Sequence, residues 1–280
     1  MDFLSNEIEQ LVSLWQEAFG DTREDVEAFI NTLYSPKNTI VLKENGEIVS
    51  AVYLVDAQIS SEDGNTLNGY YFCCAATRKS CRGKGLMSQI IERVKQTGKD
   101  RGKDFIALIP ANQSLFDFYA RFGFVDYFYC EQKVFEIIPG RINDISFEIA
   151  EEAEKLCRIQ NTVAKLSKGN IIKSKAIFDY TILDGKLSGY KIYFIKNKGE
   201  IDGYLIYDGE NLVREIITET VDMKSAINEF LYLKNLKRIE VRLPNNDLNG
   251  KRKGVIFTFT DKIDTKNITK TAFINQLLEA

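Results

Sequence analysis

Histidine is absent from all 280 residues. Its absence removes every His-based triad and deprives zinc of its usual nitrogen ligand, so acid or base chemistry falls to Tyr, Asp, Glu, Lys, Cys or a chain terminus. No metal site is expected. Cysteine is sparse and unpatterned: Cys73, Cys74, Cys81, Cys130 and Cys157 form an odd set with no CxxC pair, which reads as reduced thiols rather than a disulfide framework. No apolar run approaches the roughly 18 residues of a membrane span. The amino terminus, MDFLSNEIEQ, is acidic and has no signal-peptide pattern. The expectation is a cytoplasmic protein with no membrane partner. An excess of positive charge is also lacking. The 37 basic and 40 acidic residues give a net charge of -3, so no bulk field exists to bind nucleic acid without regard to sequence. Any anion site must be local.

What the chain does have is apolar residues in two periods. At 44% hydrophobic it can bury a substantial core, and a domain prior of roughly 100–200 residues favours two units. Ile8, Leu11, Leu14, Trp15 and Phe19 recur near 3.6 and predict a helix over residues 6–19, broken by Gly20 and Asp21. A second helix starts at a Thr22 cap, with Glu24 and Asp25 in its first turn. Residues 39–43 and 48–55 are β-branched runs hinged at Asn45-Gly46, a hairpin signal. Strands follow at 69–77, 105–109 and 125–137, with helices at 85–97 and 113–122. The pattern lapses near Pro139-Gly140, after which residues 149–166 and 171–183 read as helices.

The later part looks like a contracted copy of the first. "IVLKENGEIVSAVYL" from Ile40 aligns with "YFIKNKGEIDGYLIY" from Tyr193, an offset of 153, and Pro110 aligns with Pro244, an offset of 134. The copy has lost the difference, 19 residues, between hairpin and proline strand. That interval holds "TRKSCRGKGLMSQII" in the first copy and only "ITETVDMKSAINEFL" in the second. The division expected is 1–137, a linker at 138–147, and 148–280 as a second, degenerate unit. The closing "AFINQLLEA" reads as a short amphipathic helix.

A strand that runs through a glycine turn into a helix offers an anion unpaired N–H groups and the positive end of the helix dipole. Arg82, Gly83, Lys84 and Gly85 make such a turn. It is not a P-loop, because Gly85 stands where the hydroxyl residue belongs, nor a GxGxxG fingerprint, because Ser88 replaces the third glycine. Taken alone, a solvated basic loop explains it equally well.

The turn has company in "ANQSLFDFYARFGF", residues 111–124. Together the two stretches resemble the GNAT superfamily of acyl-CoA-dependent N-acyltransferases. Arg82 and Gly85 match that family's pyrophosphate loop, and Asn112, Phe118, Tyr119, Gly123 and Phe124 match its later motif at the family spacing. Met87 and Leu115 depart from it where small residues are usual. The resemblance covers about residues 1–137. It implies an α/β (α+β) GNAT fold: a mixed, mostly antiparallel central sheet flanked by helices, repeated in a degenerate second unit. The doubled plan is similar to the first two domains of the enhanced intracellular survival acetyltransferases.

The resemblance also implies roles. Acetyl-CoA would be the acyl donor and a small-molecule or peptide amine the acceptor. The CoA pyrophosphate would sit on the amides of Arg82, Gly83, Lys84, Gly85, Leu86 and Met87. Backbone groups of Cys74, Ala75, Ala76 and Thr77 would run beside the pantetheine arm, the N–H of Ala75 or Ala76 polarising the thioester. Asn112 would contact pantetheine, although it also reads as a helix cap. Tyr119 would protonate the departing thiolate, a task suited to a phenol of ordinary pKa near 10. Its stripe with Leu115, Phe118 and Phe122 equally describes a buried helix face. Cys73 and Cys74 invite an acyl-cysteine step, but adjacent strand residues point to opposite sides and neither has a histidine. The general base stays open among a carboxylate, a water chain and the Ala280 carboxyl. A non-catalytic CoA-binding module and an aminoacyl transferase of the cell-wall type remain alternatives, and a homo-oligomer is left open.

Overall fold

The computed structural model describes residues 3–61, 65–141, 144–166, 169–244 and 250–265. The expected terminal helix therefore lies outside the described residues. Helix α1 (Phe3–Phe19) ends at Gly20, and α2 (Arg23–Thr32) opens with a reciprocal cap. Thr22 Oγ1 accepts the Asp25 N–H at 3.2 Å while Asp25 Oδ2 accepts the Thr22 N–H at 2.9 Å. Strands β1 (Thr39–Glu44) and β2 (Glu47–Ser60) meet at Asn45 and Gly46, both at positive φ as the two-residue turn requires. Next come β3 (Thr66–Thr77), α3 (Leu86–Asp100), β4 (Phe105–Leu108), α4 (Gln113–Ala120) and β5 (Val125–Glu136).

The later part contains β6 (Ile145–Ile149), α5 (Ala153–Leu166), β7 (Ile171–Ile172), α6 (Lys175–Ser188), β8 (Lys191–Asn197), β9 (Glu200–Tyr207), β10 (Leu212–Thr218), α7 (Met223–Lys234), β11 (Arg238–Pro244) and β12 (Lys251–Thr258). Two expected helices start too early in the sequence reading. Ile149 ends a strand, β6, which begins inside the expected linker, and Ile171 opens the two-residue β7. Both are short runs whose strand character comes from distant partners: β6 lies along β8, and β7 adds to β2.

The strands join one 12-stranded sheet in the order β1-β2-β3-β4-β12-β5-β11-β10-β9-β8-β6, with β7 paired to β2 off that path. Both parts use the same local pattern, two antiparallel pairs followed by a parallel one: β1-β2-β3-β4 and β8-β9-β10-β11. The repeat extends to an irregularity. The register slips between Leu42 and Lys43 in the first hairpin, and again 153 residues later between Ile195 and Lys196. Lys198 and Gly199 repeat the positive φ of Asn45 and Gly46.

The two parts trade their final strands. β12 runs antiparallel to β4, so Ile256 enters the core on the α1–α2 face of the first sheet and Val255 the core on its α3–α4 face. The second half of β5 pairs with β11, from Cys130 opposite Pro244 to Glu136 opposite Arg238. One face of the first sheet is covered by α1 and α2 around Trp15, Phe29 and Tyr53; the other carries Ile90, Ile91, Phe116 and Tyr119 of α3 and α4. Burying a side chain such as Phe29 stabilises the fold by roughly 1.5–3 kcal/mol, so the hold of these faces on the helices is substantial.

Candidate active site

In the turn between β3 and α3 the Arg82 N–H donates to the Lys79 carbonyl at 3.4 Å, and the residues beyond it lead to an uncapped helix start. Gly83 and Gly85 sit at φ +79° and +75°, a left-handed backbone that a side-chain-bearing residue resists. Gly85 is the residue before the helix, and no side chain caps α3. The first N–H groups of a 15-residue helix therefore face a cavity of about 250 Å³. Thr77, Cys81, Arg82, Gly83, Gly85, Leu86, Met87, Ser88 and Phe118 line it. Lys84 turns outward, half exposed, with its ammonium 3.5 Å from Glu44. Arg82 folds back so that its Nε donates to the Thr77 carbonyl at 3.1 Å.

The start of the turn is tied to α1. Glu17 accepts the Arg78 guanidinium at 2.8 Å and the Lys79 backbone N–H at 2.6 Å. The Arg78 bond holds the Glu17 carboxyl below its ordinary range. The sequence reading missed this anchor, since Glu17 lies 61 residues from Arg78 and carries no local signal.

Strand β3 is irregular where it approaches the cavity. Ala51 pairs with Ala76 and Tyr53 with Cys73, so Cys74 and Ala75 together oppose Val52. This is a bulge, with Cys74 at φ +51°. It corrects the expectation that the adjacent cysteines face opposite ways: Cys73 and Cys74 both pack on the α1–α2 face, while Ala75 faces the other side. Their thiols interact, and burial first, then Cys73 and the charge of Asp21, push the Cys74 thiol well up. A protonated thiol is a poor nucleophile. Ser50 Oγ braces the strand end by donating to the Ala76 carbonyl at 2.9 Å.

Tyr119 is buried behind the cavity, in the apolar cluster that includes Ala75, Leu86 and Met87. Phe72, Phe118 and Phe124 surround its ring at 5.9, 5.3 and 5.7 Å between centroids. Burial raises its pKa, so it holds its proton at neutral pH. Asn112 is exposed and caps α4, its Oδ1 accepting from Ser114 N at 3.1 Å and Ser114 Oγ at 2.7 Å. Among the described residues no group of three His, Cys, Asp or Glu side chains could hold a metal, and no described helix is long and apolar enough to cross a membrane.

Residues 4–125 match the model of the acetyltransferase (GNAT) domain family. The whole fold is similar to a GCN5-related N-acetyltransferase from Anabaena variabilis (TM-score 0.72, 14% identity, 90% of this chain and 70% of that one). It is also similar to Eis1 from Mycobacterium abscessus (TM-score 0.70, 13% identity, 90% and 71%). A tandem GNAT protein of the clavulanic acid biosynthesis pathway aligns over 91% of this chain and 95% of its own (TM-score 0.51, 10% identity). No curated protein matches the sequence. The fold is that of tandem GNAT proteins.

Proposed function

We propose that this protein transfers an acetyl group from acetyl-CoA to a primary amine by direct attack in a ternary complex. Residues 1–137 supply the donor site, and residues 148–280 form a degenerate unit without a CoA loop. The observation that carries this is the uncapped start of α3 at Gly83 and Gly85 above the cavity. Bare amides at a helix start suit a pyrophosphate, and the left-handed glycines let it come close.

In this reading the amides of residues 82–87 hold the pyrophosphate, and Cys74, Ala75, Ala76 and Thr77 run beside the pantetheine arm. The bulge gives Cys74 and Ala75 one partner between them, and in this reading an N–H of Ala75 or Ala76 beside it polarises the thioester carbonyl. The amine nitrogen bonds to the acetyl carbon and the C–S bond breaks. The nitrogen gives up a proton to solvent, and Tyr119 delivers one to the CoA sulfur. The raised pKa of the Cys74 thiol favours direct attack over an acyl-cysteine step.

Calorimetric titration with acetyl-CoA, paired with CoA-thiol release in the presence of amines, tests the proposal. Tyr119→Phe should bind acetyl-CoA like the wild type while turnover falls at least about 100-fold, the usual weight of a general acid. Binding without turnover of any amine by the wild type would instead make the protein a CoA-binding module.

A further inference from the structure

The turn before α3 is held at its entry and open at its exit. At the exit, residues 82–85 are exposed, and a Cβ built on Gly83 or Gly85 would meet nothing within 4 Å. Packing therefore does not fix these two glycines, and glycine has more backbone freedom to lose than any other residue. At the entry, the Arg78 guanidinium joins three elements. It donates to Glu17 at 2.8 Å and to Ser13 Oγ at 3.0 Å on α1, and it reaches the Gln10 carbonyl of α1 and the Ile48 carbonyl of β2 at 3.4 Å. Gln10 closes the ring, its Oε1 accepting the Ile48 N–H at 2.7 Å. The Arg78 side chain is 20% exposed and that of Glu17 30%.

Both oxygens of Glu17 are in use. Oε2 takes the guanidinium and Oε1 takes the Lys79 N–H at 2.6 Å. One carboxylate thus orients the side chain of Arg78 and the main chain of the next residue. The isosteric amide has a single acceptor oxygen and would set its NH2 group against one of these donors. Charge does not explain the placing of Glu17. Lys79 lies a few residues ahead of the amides assigned above to the pyrophosphate, and a negative group there opposes the approach of an anion. Any benefit to the donor comes from geometry.

We propose that Glu17 is a positioning residue of the donor site, which by clamping Arg78 and the Lys79 N–H sets the turn in its anion-binding shape before acetyl-CoA arrives. This rests on the transferase reading above and brings a residue of α1 into its donor site. Amides that are already in place bind an anion more tightly, because less conformational freedom is lost on binding. Glu17 acts through Arg78 and Lys79 and touches no reacting atom.

The test compares Glu17→Gln with Glu9→Gln in the full chain, by calorimetric titration of acetyl-CoA, with denaturant unfolding to show that each variant is folded. Glu9 lies on the same helix and pairs with Arg23 at the surface, so its replacement removes the same charge without touching the turn. Glu17→Gln should weaken acetyl-CoA binding ~10-fold, about 1.4 kcal/mol, and Glu9→Gln should leave it unchanged. With any amine that the wild type turns over, Glu17→Gln should raise the KM for acetyl-CoA ~10-fold and leave kcat within about 2-fold, the pattern of lost donor binding. Charge alone predicts the reverse, tighter binding once the negative group is gone. Arg78→Lys keeps a cation for Glu17 but loses the fork to the two carbonyls, and should weaken binding ~3-fold; it carries the test if Glu17→Gln does not fold. Unchanged or tighter acetyl-CoA binding by whichever of these two variants folds, or equal weakening by Glu9→Gln, would overturn the inference and leave the transferase reading standing. Failure of the wild type to bind acetyl-CoA would overturn the transferase reading itself.

Discussion

The turns after β3 and after β10 begin from the same strand arrangement and end in opposite electrostatics. After β3, eight residues lead through Gly83 and Gly85 to an uncapped helix. After β10, four residues lead to α7, and carboxylates occupy its amides. Asp222 accepts the Ser225 N–H at 2.9 Å, while Asp202 accepts the N–H groups of Thr220 and Val221 at 3.1 and 3.0 Å. The second helix start thus carries its own anion. The contrast continues in the sheet. Ile206, 153 residues after Tyr53, faces Glu215 where Tyr53 faces Cys73. There Glu215 is buried with Lys173, 2.8 Å from the ammonium through both oxygens, and the Tyr204 hydroxyl donates to it. The extra residue of β10 falls at Arg214, nearer the strand start. Six residues separate Pro244 from β12, against the 14 between Pro110 and β5 that hold α4 and Tyr119. The two parts thus share a strand pattern, while the first leaves its helix start uncapped and the second fills the corresponding places with Asp202, Asp222 and the Glu215–Lys173 pair.

The largest expected effect tests the filled side. Lys173→Met leaves the Glu215 charge buried without its cation and should destabilise the fold by roughly 3–5 kcal/mol in denaturant unfolding. A Lys173→Met, Glu215→Leu double variant should recover much of that loss. If the single variant were neutral, the pair would not be what fills the second core.

On the open side, Gly85→Glu puts a carboxylate and a strained φ where the pyrophosphate is proposed to sit, and should weaken acetyl-CoA binding more than ~100-fold, about 2.8 kcal/mol. Lys84→Ala should weaken it only ~3-fold, because that ammonium is exposed and already beside Glu44. Equal tolerance of both by calorimetry would show that the amides do not hold the anion.

The smallest effect is a pH dependence. Burial alone would raise the pKa of Asp202, but the bonds from Thr220 and Val221 outweigh it and leave the pKa lowered. A lowered carboxyl contributes stability above its unfolded pKa, near 3.9, and loses it as pH falls through the folded value. Asp202→Ala should therefore flatten the acid limb of a stability–pH profile below about pH 4. Gly85→Ala, remote from any such carboxylate, should leave the limb unchanged.

Local features were legible in advance. The Thr22 cap, the Asn45-Gly46 hairpin, the α3 start at Gly85 and the stripe that buries Tyr119 all depend on residues within a few positions of one another. The offset of 153 between the hairpins was legible too, down to the lysines beside the shared register slip. Strands β6 and β7 were not, because two to five residues acquire strand character only beside their partners. The common face of Cys73 and Cys74 was equally hidden, since a bulge is a property of β2 and β3 paired together.

By itself the sequence determined the glycine turn, the placing of Tyr119 on a helix and the doubling of the scaffold, because glycine conformations, helical periodicity and repeated spacing are written in consecutive residues. Only the tertiary structure decided that β12 enters the first sheet, that Glu17 holds the turn and that Tyr180 from the later part packs edge-on against Phe29. Those contacts join residues 61 to more than 100 positions apart, and such pairings are chosen by which surfaces bury one another when the whole chain packs.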